Sequence, residues 1–285
     1  MTLSISPSVR FLSAVFLAVA AWATFVEPAR LVVRPAMVRL PRWPGPWNGL
    51  RIAAISDVHA GSFHVGYGKL TRLVRITNEQ KPDLVVLLGD YLSHRTPQEG
   101  VEKPENVAAI LAGLRAPLGV VAVLGNHDWW MDGERMRRAL AGAGIRVLDN
   151  EALRMEREGQ PLWFVGIADA LTRIPRVEYA LSPIPKGDPI VLMTHNPDLF
   201  DHEIPSRVTL TLAGHTHGGQ VWLPFLGAPV VPSAYGQRFV AGLVVEKGRS
   251  LFVTPGIGTS LIPIRFGVPP EISLLTLVAV GSEAP

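Results

Sequence analysis

Asp, Asn and His residues follow five short apolar segments of this chain, in an arrangement that would let them bind metal ions together. They are Asp57, His59, Asp90, Asn126, His195, His215 and His217. Carboxylate, amide and imidazole donors suit Mn, Fe or Zn better than a soft metal that prefers thiolates. One structural metal ion needs about four ligands. Seven candidates therefore predict two divalent ions that share a bridging carboxylate.

A pair of metal ions limits the chemistry of such a site. Two-metal sites with ions about 3.5–4 Å apart are typical of phosphate-ester hydrolysis, where one ion activates a water molecule and the other neutralises charge on the phosphoryl group. The ligand set thus predicts a hydrolase of phosphoesters. Motifs of other catalytic sites, namely GxxxxGK[ST], GxSxG and HExxH, do not occur in the sequence.

The five apolar segments must form strands if their polar ends are to meet. They are rich in Val, Ile and Leu and cover residues 51–56, 83–89, 120–125, 190–194 and 210–214. Short runs of this kind predict buried strands, and open α/β sheets bind ligands outside the carboxyl ends of their strands. Apolar residues at helical spacing predict helices over 69–80, 107–116 and 134–143. This alternation of strands and helices predicts an α/β fold.

The ordered series Asp-x-His, Gly-Asp, Gly-Asn-His-Asp, His and Gly-His-x-His resembles that of the calcineurin-like metallophosphoesterases, over residues 49–280. The segments GHTHGGQVWLPFLG and IRFGVPPEI resemble the sequences of the membrane-associated bacterial branch of that family. The branch includes secreted and membrane-bound phosphoesterases, and enzymes that hydrolyse UDP-2,3-diacylglucosamine in lipid A synthesis. The resemblance implies a four-layer α/β/β/α sandwich with two metal ions at one edge.

The resemblance also implies how the metal ligands are divided. Asp90 would bridge the two ions, and a bridging hydroxide would act as the nucleophile. The first ion would be held by Asp57, His59 and His217, and the second by Asn126, His195 and His215.

Two neighbouring residues would complete the catalytic group by the same resemblance. His127 would lie beside the leaving group as a proton donor or charge stabiliser, and Asp128 would orient its imidazole. The sequence departs from the pattern at Ser93, where many relatives carry a second Asp. That position is not a metal ligand in the pattern, so the departure bears on substrate rather than on catalysis.

Three further residues are candidates for contact with the substrate. Asp169 ends a predicted strand over 162–169, and Arg173 follows it, so both could line the pocket. The alternative is a capped turn and a solvated charge. Arg265, in the segment PIRFG, could contact a phosphate. The remaining histidines, His64, His94 and His202, are expected to be ordinary hydrogen-bonded residues.

The segment 222–236, WLPFLGAPVVPSAYG, is unusually apolar and proline-rich for a loop. If it is exposed beside the metal ions, it could hold acyl chains or dip into a membrane, since exposed apolar patches usually mark interaction sites. If it is buried, it belongs to the core. The sequence leaves both alternatives open.

The amino-terminal region divides into a hydrophobic segment, 1–28, and a basic linker rich in Pro and Trp, 29–48, before the catalytic domain, 49–280. Residues 11–26 carry no charge, which fits a membrane anchor, the core of a signal peptide cleaved near Ala23, or a buried helix. Arginines are more frequent after this segment than before it, so the positive-inside rule favours a single uncleaved anchor in the bacterial inner membrane with the enzyme on the cytoplasmic face. Export by a signal peptide is the alternative. Trp43 and Trp47 could lie at the lipid headgroups or pack on the domain.

Composition sets limits that agree with this interpretation. The chain has 285 residues, 48% of them hydrophobic, which is enough for one large domain. It has no cysteine, which excludes disulfides and thiolate metal sites, and its net charge of +3 does not indicate a nucleic-acid partner.

We therefore predict a membrane-associated metallophosphoesterase with two divalent ions, Mn before Fe or Zn. Its predicted substrate is a lipid-linked phosphate such as UDP-2,3-diacylglucosamine. A phosphodiesterase of soluble or exported phosphoesters is the alternative, and a non-catalytic scaffold of the same fold is a third. The sequence leaves the oligomeric state open.

Overall fold

The computed structural model describes residues 6–93 and 103–281, so His94 lies outside the described residues. Twelve strands are present in this part of the chain, in the order β1 (Val32–Leu40), β2 (Leu50–Ile55), β3 (Leu84–Leu88), β4 (Val120–Val123), β5 (Arg146–Val147), β6 (Glu151–Arg157), β7 (Gln160–Gly166), β8 (Ile190–Met193), β9 (Leu210–Ala213), β10 (Gly242–Glu246), β11 (Arg249–Val253) and β12 (Glu271–Ala279).

The described α-helices are α1 (Pro7–Ala21), α2 (Tyr67–Glu79), α3 (Pro104–Leu111), α4 (Asn126–Met131), α5 (Gly133–Gly142), α6 (Val177–Leu181) and α7 (Leu199–His202). A π-helical turn, Trp22–Val26, continues α1, and 3-10 turns cover Gly45–Trp47, His217–Gly219 and Gly236–Phe239. The three helices predicted from apolar spacing correspond to α2, α3 and α5.

Two six-stranded sheets pack face to face. The first has the order β1-β12-β2-β3-β4-β5 and the second the order β10-β11-β9-β8-β7-β6. One apolar core lies between the sheets, with members such as Ile52, Val86, Phe164 and Leu212. A second core covers the first sheet beneath α2, α3 and α5, and a third covers the second sheet beneath α6 and α7. The four-layer α/β/β/α prediction is confirmed.

Parallel pairing brings the strand ends together. Strands β2, β3 and β4 are parallel neighbours, as are β7, β8 and β9. Parallel neighbours point their carboxyl ends to the same edge of a sheet. The polar residues that follow β2, β3, β4, β8 and β9 therefore leave the sandwich at one end.

The segment predicted as a linker, 29–48, is instead built into the sandwich. Strand β1 pairs in parallel with β12 from Val32 to Leu40, and Trp43 and Trp47 are buried between the sheets. The linker prediction is wrong because Arg34, Pro35 and Arg39 hide the apolar alternation of an edge strand, where proline is tolerated. Of the two alternatives for the tryptophans, packing on the domain is the one observed.

Helix α1 projects from the sandwich. None of its residues is buried, so the alternative of a core helix is excluded. The helical segment Pro7–Val26 is long and apolar enough to cross a membrane, and Ala23 is the one buried residue in it. Its end is nevertheless attached to the domain, because the Ala23 carbonyl accepts a hydrogen bond from the Arg265 backbone (2.9 Å).

Trp47→Ala tests the place of residues 29–48 in the sandwich. The ring is fully buried, and its Nε1 donates to the Gln160 carbonyl at 3.0 Å. We expect the free energy of unfolding to fall by about 3–5 kcal/mol, measured by denaturant unfolding in detergent solution. The matched control is Trp222→Ala, which removes an exposed ring and should cost about 0.5 kcal/mol or less. Equal losses in the two variants would contradict this placement.

Candidate metal centre

The seven predicted ligands lie at the carboxyl ends of the parallel strands. Asp57 and His59 follow β2, Asp90 follows β3, and Asn126 begins α4 after β4. The second sheet contributes the residues that follow β8 and β9, namely His195, His215 and His217. All seven are buried. The structure thus brings together every metal ligand that the sequence predicts.

The backbone is strained at five of these positions. The φ angles are positive at Asp57 (50°), His59 (46°), Asp90 (58°), His215 (72°) and His217 (53°). Non-glycine residues adopt this left-handed region rarely and at a cost of about 1–3 kcal/mol each. Strain concentrated at one group of polar side chains is typical of a functional site, where the surrounding fold holds the residues in place.

The metal-binding side chains form overlapping groups around Asp90. Asp57, His59 and His217 make one group, and Asp90, His195 and His215 make another, with the atoms of each group within 4.8 Å of one another. A third group, His59, Asp90 and His127, shares a residue with each of these two. The Asp90 Oδ2 lies 3.6 Å from the His59 Nε2 and 3.3 Å from the His195 Nε2. Its carboxylate therefore lies between the two groups, as a ligand shared by two ions would.

Two buried oxygen atoms support the assignment of metal ligands. The Oδ1 atoms of Asp57 and Asn126 have no hydrogen-bond partner among the described residues. Leaving a buried polar atom without a partner costs about 1–3 kcal/mol, so such atoms call for an explanation. A cation bound between the imidazoles would satisfy both oxygens. The donor set of hard oxygens and imidazole nitrogens fits divalent ions of the Mn, Fe and Zn type.

Burial keeps most of the histidines neutral. It lowers the pKa of His59 and of His215 to about 3, and it lowers the pKa of His217 well below the ordinary value. A neutral imidazole is the form that binds a metal ion. These three side chains are therefore in the ligating state at physiological pH.

Asp90 and His195 form an ion pair. Burial alone would raise the pKa of Asp90, but His195 and the neighbouring histidines lower it below its usual range. Burial alone would lower the pKa of His195, but Asp90 raises it to about 10. The carboxylate is thus ionised, and a cation that binds it would displace the proton of His195.

Asp57 behaves differently from Asp90. Burial raises the pKa of Asp57 to about 6, against the opposing effect of His195. Its Oδ2 accepts hydrogen bonds from the Ser56 hydroxyl and from the His215 backbone (2.9 Å). One oxygen is therefore fixed by the protein, and the other, Oδ1, accepts no hydrogen bond from the described residues and lies 3.4 Å from the His217 Nε2.

His127 lies at the boundary between the ligands and the substrate cavity. Its Nε2 is 3.9 Å from the Asp90 Oδ2, and its ring is 4.6 Å from the ring of His59. It also lines the large cavity described below. This position fits the predicted contact with a leaving group.

Asp128 has partners other than the predicted His127 imidazole. Its carboxylate accepts hydrogen bonds from the backbone amides of Asp90 (2.9 Å), Tyr91 (2.8 Å) and Gly125 (2.9 Å). Asp128 therefore fixes the two loops that present Asp90 and Asn126.

The prediction that Arg265 contacts the substrate is also wrong in this structure. The residue is fully buried, and its guanidinium donates to the carbonyls of Pro255, Gly258 and Val268 at 2.7–3.0 Å. It also lies 3.5 Å from the His217 Nδ1. Arg265 thus stands behind the ligand His217, away from the cavity.

Asp169 and Arg173 have the contacts expected under the alternative, in which Asp169 caps a turn and Arg173 is a surface charge. The Asp169 Oδ2 accepts hydrogen bonds from the Leu171 and Thr172 backbones and from the Thr172 hydroxyl. The Arg173 guanidinium stacks on the ring of Trp129 at 4.4 Å. Neither side chain lines the cavity.

A cavity of about 840 Å³ adjoins the ligands. Asp90, His127, His215 and His217 line one end, and the other walls are mainly apolar, formed by Trp130, Leu171, Val221, Pro229, Val230, Pro232, Leu261 and Ile262. Much of the segment 222–236 is exposed, including Phe225, Leu226 and Val230, so it is not core. Sequence reasoning identified part of this segment but missed Trp130, Leu171, Leu261 and Ile262, because scattered apolar loop residues leave no periodic pattern.

Asp128→Asn tests the supporting role of this carboxylate. An amide can accept the hydrogen bonds of one carboxylate oxygen only, so at least one backbone amide would lose its partner inside the protein. We expect unfolding to become easier by about 1–3 kcal/mol, measured by thermal or denaturant unfolding, together with weaker retention of metal ions. His127→Ala, which leaves those amides paired, is the control. Unchanged stability of Asp128→Asn would contradict the assignment.

Comparison with known proteins agrees with this geometry. Residues 50–219 match the family model for calcineurin-like phosphoesterases. The chain is 29% identical to the uncharacterized metallophosphoesterase YkuE of Bacillus subtilis (strain 168), over 90% of this chain and 88% of that protein. It is 31% identical to the phosphodiesterase YaeI of Escherichia coli (strain K12), over 80% of this chain and 82% of that protein.

One further relative has a name that refers to a membrane protein. The chain is 32% identical to a transmembrane protein with metallophosphoesterase domain from Danio rerio, over 92% of this chain. It spans 60% of the length of that relative. The matched region contains all seven predicted ligands and the strands that present them, and this chain belongs to the calcineurin-like phosphoesterase family.

Proposed function

We propose that this protein is a metal-dependent hydrolase that cleaves a phosphodiester or pyrophosphate bond in a lipid-linked substrate. The observation that carries the proposal is the position of the buried Asp and His groups at one end of a large apolar cavity. The two parts of that cavity match the two parts of a lipid phosphate. The polar end would take the phosphoryl group, and the apolar walls would take the hydrocarbon.

The protein's own residues would prepare the reacting groups. Two divalent ions, of which Mn is our first candidate, would supply an activated water and neutralise charge on the phosphoryl oxygens when bound. Asp57, His59 and His217 would hold one ion, and Asn126, His195 and His215 the other, with Asp90 shared. His127 would donate a proton to the leaving oxygen or stabilise its charge.

The walls of the cavity favour a lipid over a soluble nucleotide. A volume of about 840 Å³ falls within the range for small-molecule sites, about 300–1,000 Å³. Among the described residues, no Lys or Arg lines it. Burial of hydrocarbon against Val230, Leu261 and Ile262 would make the binding free energy more favourable, by about 25 cal/mol for each Å² of apolar surface removed from water. UDP-2,3-diacylglucosamine is the specific substrate to test first.

Helix α1 would keep the enzyme next to a lipid substrate. Its exposed apolar surface and the length of the segment Pro7–Val26 support a single membrane anchor. The arginines that follow it favour the cytoplasmic face of a bacterial inner membrane. Retention of the anchor is supported by the buried Ala23 and Glu27, since cleavage near Ala23 would remove a residue that packs on the domain. Export with a processed amino terminus is the alternative.

A phosphodiesterase of soluble substrates is the second candidate, because the E. coli relative is named a phosphodiesterase. The two candidates differ in the rate on each substrate class. The purified full chain, supplied with Mn in detergent, is assayed with detergent-dispersed UDP-2,3-diacylglucosamine and with bis-p-nitrophenyl phosphate. Much faster cleavage of the lipid nucleotide supports the first candidate. Activity on the soluble diester alone favours the second.

His127→Ala separates catalysis from metal binding. The variant should retain its metal ions, because two complete ligand groups remain, while turnover falls by roughly 10²–10⁴-fold through loss of a proton donor. Metal content is measured by elemental analysis and turnover with the substrate that the wild-type enzyme cleaves. A variant that turns over at the wild-type rate in Mn would contradict the role proposed for His127.

A further inference from the structure

A group of exposed apolar side chains lies on two segments, 221–234 and 260–262, that also contribute residues to the cavity lining. We call it the apolar rim, and it comprises Trp222, Phe225, Leu226, Val230, Leu261 and Ile262. Three of these residues, Val230, Leu261 and Ile262, also line the cavity. The rim is therefore continuous with the walls of the proposed substrate site.

The rim carries no exposed charge. Residues 219–237 contain no acidic or basic side chain, and within 256–270 the only charged residue is Arg265, which is fully buried. A contiguous exposed apolar patch usually marks an interaction surface. Bulky aromatic and aliphatic side chains without charge are the composition that enters the boundary between lipid headgroups and acyl chains.

The rim is joined to the end of the apolar helix. The Ala23 carbonyl accepts a hydrogen bond from the Arg265 backbone (2.9 Å), and the next carbonyl, that of Phe266, accepts one from the Trp222 backbone (2.7 Å). Three adjacent backbone segments thus connect the helix end to the loop that bears Phe225. These bonds fix the distance between the helix end and the rim.

A half-buried lysine strengthens this connection. The Lys69 Nζ donates to the Pro28 carbonyl at 2.6 Å and to the Ile257 carbonyl at 3.2 Å. It therefore ties the residues just after the helix to the segment that leads to Leu261 and Ile262. Exposed Phe25 and Val26 extend the apolar surface from the helix towards the domain.

The helix sets the position of a bilayer relative to the rim. Its 20 residues span about 30 Å at 1.5 Å per residue, which is the thickness of the hydrocarbon core. A membrane that contains this helix must end near Val26, within a few residues of the bonds to Arg265 and Trp222. The rim then lies at the membrane surface.

Phe225 combines an exposed aromatic ring with a left-handed backbone, and neither feature is required to close the loop. Its side chain is completely exposed, and its φ is 66°, a value that is rare for a bulky residue. The loop is closed by the Leu223 backbone, which donates to the Gly227 carbonyl at 2.8 Å. Asn or Gly would fit this backbone with less strain, so the aromatic ring points to a function outside the domain.

We propose that the apolar rim inserts into the interfacial layer of the bilayer that holds α1, so that the cavity opens towards the lipid. The partner that the rim contacts is phospholipid. The inference rests on the proposed membrane insertion of α1 and not on the identity of the substrate. It predicts that a substrate enters the site from the membrane surface rather than from bulk water.

A single labelled cysteine tests the inference directly, because the chain contains no cysteine of its own. Leu226→Cys, labelled with an environment-sensitive fluorophore, leaves Phe225 in place. The full chain is reconstituted in phosphatidylcholine vesicles that contain spin-labelled lipid as a quencher. Gln160→Cys is the control, since Gln160 is exposed and lies at the start of β7, the end remote from the ligands.

We expect lipid quenching several-fold stronger at position 226 than at position 160. Equal quenching at both positions would overturn the inference. A label at 226 that is shielded from an aqueous quencher but not reached by the lipid quencher would also overturn it, in favour of a protein partner. Quenching at 226 without turnover of any lipid phosphate would support the inference and count against the proposed substrate class.

Phe225→Asn provides a second, functional test. Asn tolerates the left-handed backbone and removes only the ring, so hydrolysis of bis-p-nitrophenyl phosphate should be unchanged. Hydrolysis of a lipid phosphate presented in vesicles should fall several-fold, and the deficit should disappear in detergent micelles. Equal rates of the variant and the wild type on vesicles would contradict a role of Phe225 in docking.

Discussion

The carboxylate of Asp90 lies between two groups of imidazoles and is almost completely buried. Its Oδ2 faces His59 and His195 at 3.6 and 3.3 Å, and its Oδ1 accepts from the His127 backbone at 2.8 Å. Burying so many polar groups is costly unless charge and hydrogen bonding are satisfied. The remainder of the structure can be understood as the means of holding this arrangement, with cations completing it.

The loops around Asp90 are packed too closely for side chains. A Cβ at Gly125 would lie 2.3 Å from the Asp90 Oδ1, and one at Gly89 would lie 2.5 Å from the Gly125 nitrogen. Asp128 holds the same loops by their amides, and Arg265 supports the opposite side through the carbonyls behind His217. The parallel register of the strands brings these loops to one edge. Strain at the ligands is thus balanced by bonds in the surrounding backbone.

The sequence was sufficient to predict the parts of the site that depend on local pattern. Short apolar runs in the sequence correspond to strands β2, β3, β4, β8 and β9. Because parallel strands end at the same edge of a sheet, the polar residues that follow them must lie at that edge. The parts that depend on three-dimensional neighbours could not be predicted. Strand β1 is disguised by Arg34 and Pro35, and Arg265 is charged in sequence but buried in the fold. The partners of Asp128 are backbone amides, which carry no signal in the sequence.

The position of the cavity relative to α1 bears on how a substrate would reach the candidate metal centre. Arg265 contacts the predicted ligand His217 through its guanidinium, and its backbone nitrogen donates to the carbonyl of Ala23 at the end of the apolar helix. The proposed membrane anchor and the candidate metal centre therefore share this residue. A soluble phosphodiesterase would have no need of this connection or of an uncharged rim.

Anomalous X-ray diffraction from crystals of the full chain grown with Mn tests the central claim most directly. The account predicts two anomalous peaks on either side of the Asp90 carboxylate, one beside Asp57, His59 and His217 and the other beside Asn126, His195 and His215. The absence of peaks at this edge, or a single ion away from Asp90, would contradict a two-metal centre.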